Sequence, residues 1–180
     1  MKSFQEILFK DFDVKKEVQK NGKVKRTYVY VGDYAAWNLK DEELLRYKRL
    51  YVSATVLLCL LFIWSALQRV PLNSARLPGG FLLLCLVSLL PIVMGVWQFV
   101  TAPKKMYKRD CLRMKDLVLW GSILYLIFRV CGTVTGIPVL VSEGVTLLSV
   151  VVFIAGILTA GLALVLFLAQ RKLKYLEIPG

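Results

Sequence analysis

Residues 145–169 read VTLLSVVVFIAGILTAGLALVLFLA, twenty-five positions without a charged side chain. A helix rises 1.5 Å per residue and needs about 20 apolar residues to cross ~30 Å of hydrocarbon, so this run is long enough to span a bilayer. Three more segments read the same way. Residues 50–67 carry no charge. Residues 81–102 are apolar apart from Gln98 and a tolerated Pro91, and residues 117–140 are apolar apart from Arg129. The expected class is therefore an all-α polytopic membrane protein, its four transmembrane helices forming two helical hairpins. At 57 % hydrophobic residues and a mean hydropathy of +0.61, the 180-residue chain is too apolar for a soluble domain.

The cations give an orientation. Of 24 lysines and arginines, twelve precede Leu50, six lie between the second and third spans, and three follow the fourth. Only Arg69, Arg76 and Arg129 fall on the other side. Cytoplasmic loops retain such an excess, which predicts both termini and the central loop in the cytoplasm and the plasma membrane as the location. Trp97, Tyr107, Trp120 and Tyr175 near the inner edges, and Trp64 near the outer one, suit the headgroup region. The net charge of +12 sits beside bilayer-length apolar runs, so the expected partners are anionic lipids of the cytoplasmic leaflet and not nucleic acid.

Ahead of the first span, Phe4, Ile7, Leu8 and Phe12 recur at helical spacing, as in a short amphipathic helix. Asn21-Gly22 then suits a two-residue type I′ turn, predicting a β-hairpin in which Glu17 faces Arg26 and Val14 faces Val29. Lys15, Lys16, Lys20, Lys23, Lys25 and Arg26 make that hairpin basic, a candidate surface for lipid or a protein partner. Asn38 is placed to cap a helix that Asp41, Glu42 and Glu43 open, continuing as one rod of about thirty residues through the first span. The domains expected are 1–38, a cytoplasmic helix and hairpin; 39–174, the transmembrane bundle; and 175–180, a short tail. The first fifty residues hold no apolar core of signal-peptide length, so no cleavable leader is expected. An offset of 67 lays one helical hairpin over the other, with Pro71 on Pro138. That match would be the trace of a duplication.

Among single residues, Arg129 stands out. Twelve positions after Leu117, it lies roughly 18 Å into the membrane by helical rise. It has three readings: snorkelling to headgroups, a third span ending early near Gly132–Gly136, or a buried polar site. Glu143, the one acidic residue expected outside the cytoplasm, is the natural counter-ion for Arg129, Arg69 or Arg76, with Arg129 as the pairing hypothesis, and the three arginines form an outer polar cluster that either attracts an anion or anchors the helices to lipid. In the fourth span Ala155, Gly156, Thr159, Ala160 and Ala163 make a small-residue stripe for close helix packing, within the chain or in a homo-oligomer. Cys59, Cys85, Cys111 and Cys131 have no metal-like spacing, and Cys111, in a basic loop, could accept an acyl chain.

There is no histidine, and no Asp or Glu lies in any span. Histidine bases and ligands are thereby excluded, and a proton-coupled carboxylate within the membrane is absent. Nor is there a Walker loop, a dinucleotide fingerprint or a nucleophile elbow. The expectation is a non-enzymatic protein without metal or cofactor, an accessory, scaffold or regulatory subunit. A small oligomeric transporter or channel is the alternative, and a membrane enzyme comes third.

Overall fold

The computed structural model describes residues 12–18, 24–30 and 32–179. Four long helices dominate: α1 (Asp41–Leu67), α3 (Arg76–Thr101), α4 (Lys108–Glu143) and α5 (Leu147–Lys172), with a four-residue helix α2 (Pro71–Ser74) between the first two. All four long helices are long and apolar enough to cross a membrane. Strands β1 (Phe12–Val18) and β2 (Val24–Tyr30) form a hairpin. β3 (Tyr34–Trp37), β4 (Lys105–Tyr107) and β5 (Tyr175–Ile178) form a second sheet in the order β4-β3-β5.

Each long helix packs on two others, giving the ring α1-α3-α4-α5, with α2 tucked against α3 and α4. Tyr51, Leu58, Phe62, Cys85, Ile92, Phe99, Val118, Tyr125 and Leu166 fill the interior. The outward faces are equally apolar: Leu60, Leu83, Val87, Leu90 and Val141 are at least 60 % exposed. A helix apolar on every side is what a lipid environment accommodates. Trp64, Trp97 and Trp120 also point outward, near the ends where the sequence places them.

The helix bounds differ from the apolar runs for local reasons. The acidic first turn of α1 is present, yet Asn38 does not cap it. The helix opens after Lys40, with no side-chain cap, and the Asn38 N–H donates instead to the Lys174 carbonyl at 3.2 Å. The second run, expected from residue 81, is helical from Arg76, because Pro78 in the first turn has no intrahelical N–H to lose. The third long helix runs without a break from Lys108 to Glu143, through Gly132 and Gly136. Gly144 ends it with φ +87°, a conformation that favours glycine. Thr146 caps α5, its Oγ1 accepting from the Ser149 N–H at 3.2 Å.

The hairpin exists, but its register is shifted by one: Glu17 pairs with Lys25 and Val14 with Tyr28. A one-residue slip moves a whole strand's residues to the opposite face. In the observed ladder one alternating set collects Phe12, Val14, Val18, Val24, Tyr28 and Tyr30 together with Lys16 and Arg26. The other set holds Asp13, Lys15, Glu17, Lys25, Thr27 and Val29. The register expected from Asn21-Gly22 would divide the aromatic and aliphatic residues between the two alternating sets. The turn itself, Lys20 and Lys23 lie outside the described residues. So does the amphipathic helix except for Phe12, which opens β1.

The three-stranded sheet has no counterpart in the sequence reading. β3 pairs antiparallel with β4 (Ala35 opposite Met106) and with β5 (Ala36 opposite Leu176), so the segment before α1, the connection between α3 and α4 and the segment after α5 meet at one end of the bundle. The segment read as a tail is thus an integral strand. Pro71 opens α2 while Pro138 lies inside α4, so the proline match behind the proposed duplication joins two unlike environments.

Candidate functional site

Among the described residues the basic end, where the sheet lies, and the interior around Arg129 carry the polar groups of most interest.

At the basic end Ala35 and Trp37 are buried, and the Trp37 ring meets Phe99 edge-on at 5.3 Å. Within residues 32–179 this end holds thirteen lysines and arginines against seven carboxylates. Some of the cations hold the architecture together. Lys48 Nζ donates to the carbonyls of Val100 (2.8 Å) and Ala102 (3.0 Å), satisfying the orphan acceptors at the end of α3. Lys104 pairs with Asp41 at 2.6 Å. Lys108 Nζ lies 2.7 Å from Glu177 and 3.5 Å from Asp33, clamping β5 and β3 to the start of α4, and the hydrogen bond to Glu177 raises its pKa.

Other cations are exposed beside apolar grooves. Between α1 and α5 a groove of about 450 Å³ is walled by Leu50, Val165, Leu168 and Ala169 and ends at Arg46 and Lys172. Between α1 and α3 a second, of about 790 Å³, is walled by Leu45, Val52, Val56 and Val100 and carries Arg49 beside Lys48. Each combines an acyl-sized apolar wall with a cation at one end. Neither was visible in the sequence, because the walls come from helices a hundred residues apart or from opposite ends of a hairpin. Cys111, read as a candidate acylation site, is 1 % exposed, and burial pushes its thiol up, so it is closed to a lipid donor.

The interior site is built by α4 and α5. Arg129 is half-buried and directed at α5, where its Nε–H donates to the Gly156 carbonyl at 3.3 Å. Gly156 makes the approach possible: a Cβ there would lie 2.6 Å from the guanidinium. The small-residue stripe faces inward too, with Ala155, Gly156, Thr159 and Ala163 buried and Ala160 half-buried.

The outer polar cluster is not assembled as expected. Arg129 and Glu143 share α4 but are fourteen residues apart, roughly 21 Å by helical rise, so they do not pair. Arg69 and Glu143 line one open concavity of about 640 Å³ with Asn73 and Ser74, without a salt bridge between them. Arg76 is exposed at the first position of α3. The sequence reading also missed Gly95 and Gly121. A Cβ at Gly95 would meet Val118 Cγ2 at 2.6 Å, and one at Gly121 would meet Ile92 Cγ1 at 2.9 Å. This is how α3 and α4 come close enough for the most extensive helix contact in the bundle.

No family model, no curated protein and no solved structure matches this chain.

Proposed function

We propose that this chain is an integral plasma-membrane protein that crosses the bilayer four times, with its basic end in the cytoplasm. There it binds anionic phospholipid as a non-enzymatic accessory or scaffold subunit. The observation that carries the reading is the α1–α5 groove, in which apolar walls run up to Arg46 and Lys172. A phospholipid lying along the helices would place its acyl chain on Leu50, Val165 and Leu168 and its phosphate between the two cations. Near an anionic leaflet each lysine or arginine contributes about 1 kcal/mol.

The hairpin's sequence supports the same reading: Lys15, Lys16, Lys20, Lys23, Lys25 and Arg26 make it basic, and an anionic leaflet attracts such a segment. The transporter alternative asks for an oligomer, and the small-residue stripe of α5 leaves little surface for one because it is spent inside the chain.

Lipid retention tests the proposal. The protein is purified in mild detergent, offered equal amounts of phosphatidylglycerol and phosphatidylcholine, and analysed by native mass spectrometry. The expected result is preferential retention of the anionic lipid, weakened roughly tenfold or more in R46Q/K172Q, as the loss of two such contacts implies. Equal retention of both lipids, or no change in the double variant, would contradict it.

A further inference from the structure

Arg129 is a cation set among apolar helices, and its guanidinium cannot shed its proton. Of its five N–H donors, the Nε–H goes to Gly156. Among the described residues no carboxylate forms a salt bridge with it. A charge so placed is costly unless something neutralises it.

Beside the guanidinium lies a cavity of about 40 Å³, lined by Phe81, Cys85, Phe128, Gly132, Thr133 and Phe153. Its roof is α2: Asn73 and Leu72 also line it, and Leu72 packs so closely on α4 that a Cβ at Gly136 would lie 2.7 Å from its Cδ2. The volume exceeds the ~10–15 Å³ that one water requires. It is far below the ~300–1,000 Å³ of an organic-ligand pocket.

Two donor groups at the cavity are already committed. Thr133 Oγ1 donates to the carbonyl of Arg129 itself at 2.8 Å. The Asn73 amide donates to the carbonyls of Ser65, Ala66 and Gln68, at the end of α1. What remains is a guanidinium edge facing a small, partly open chamber whose surface is polar and apolar in similar measure. A tetrahedral oxyanion would need several donors for its oxygens. A single weakly hydrated monovalent ion needs few, and it matches the weak hydration of guanidinium. Away from bulk water the attraction between opposite charges is stronger than in water.

We propose that this cavity is a halide site, in which one chloride-sized anion sits against the guanidinium N–H groups of Arg129 not engaged by Gly156 and acts as its counter-ion. The site is independent of the lipid grooves at the basic end.

The test uses the full chain in a neutral detergent, exchanged into sodium gluconate and titrated with chloride or bromide at constant ionic strength. The halide is expected to raise the thermal unfolding midpoint saturably, and labelled chloride to bind at about one per chain. In R129Q the shift should vanish, while R69Q, which removes an exposed cation elsewhere, should keep it. If R129Q does not fold, R129K serves: it retains the charge but not the fork, and should weaken halide binding at least tenfold. Absence of saturable halide binding to the wild type would overturn the proposal, since water alone would then fill the cavity. So would a saturable shift with inorganic phosphate in place of chloride, or a halide shift that persists unchanged in R129Q.

Discussion

The hydroxyl of Tyr51 donates a 2.6 Å hydrogen bond to Oε1 of Gln170, joining the first long helix to the last with both side chains fully buried. The Tyr51 ring also rests on Phe99 at 4.8 Å, so one residue of α1 touches both of its neighbours in the ring. Tyr51→Phe would leave the Gln170 carbonyl without its donor. The expected loss is about 1 kcal/mol, because a buried acceptor left unsatisfied costs more than the net gain of the bond. Removing both partners in Y51F/Q170L should recover part of that loss. Thermal unfolding of the two single variants and the double one checks it, and strict additivity would be the unexpected result.

The contact between α3 and α4 rests on two glycines. Gly95→Ala must displace Val118, whose backbone nitrogen is also within 3.0 Å of the added atom, and Gly121→Ala must displace Ile92. Each is expected to destabilise by about 1–3 kcal/mol. Gly161 on α5 has open space around it, so Gly161→Ala should be neutral or slightly stabilising through helix propensity. Ranking the three variants by unfolding temperature in detergent is sufficient.

Lys108 gives a pH dependence of definite sign. Its pKa is raised above the ordinary 10.5, first by the hydrogen bond to Glu177 and then by the charges of Glu177 and Asp33. A raised lysine pKa contributes stability that is fully present below the unfolded-state value and is lost as pH rises through the folded one. The difference in unfolding temperature between wild type and K108Q should therefore stay constant from neutral pH to about 10 and close only above it. A gap that closes between neutral pH and about 9 would contradict the raised value.

How much of this was legible in the sequence follows from the range of the interactions. The apolar runs are local, so the four long helices were readable, with the start of α4 nine residues earlier than its apolar run, and Arg129 announced itself as a charge among them. Its partner did not: Gly156 reads as one small residue in a stripe, and only the pairing of α4 with α5 brings the two together. The same holds for β3, β4 and β5. Three or four residues carry little strand signal, and their pairing spans most of the chain. At the hairpin the Asn21-Gly22 rule, applied to two residues, gives a register one residue away from the observed one, in which Phe12, Val14, Tyr28 and Tyr30 share one alternating set.

Sidedness is the claim on which the lipid reading depends, and cysteine labelling in intact cells measures it most directly. In a chain whose four native cysteines are replaced by alanine, Ser74→Cys lies at the end of the bundle with few cations and Pro103→Cys at the basic end, both exposed. A membrane-impermeant maleimide is expected to label Ser74→Cys in intact cells and Pro103→Cys only after lysis. Labelling of Pro103→Cys in intact cells, with Ser74→Cys protected until lysis, would contradict the account.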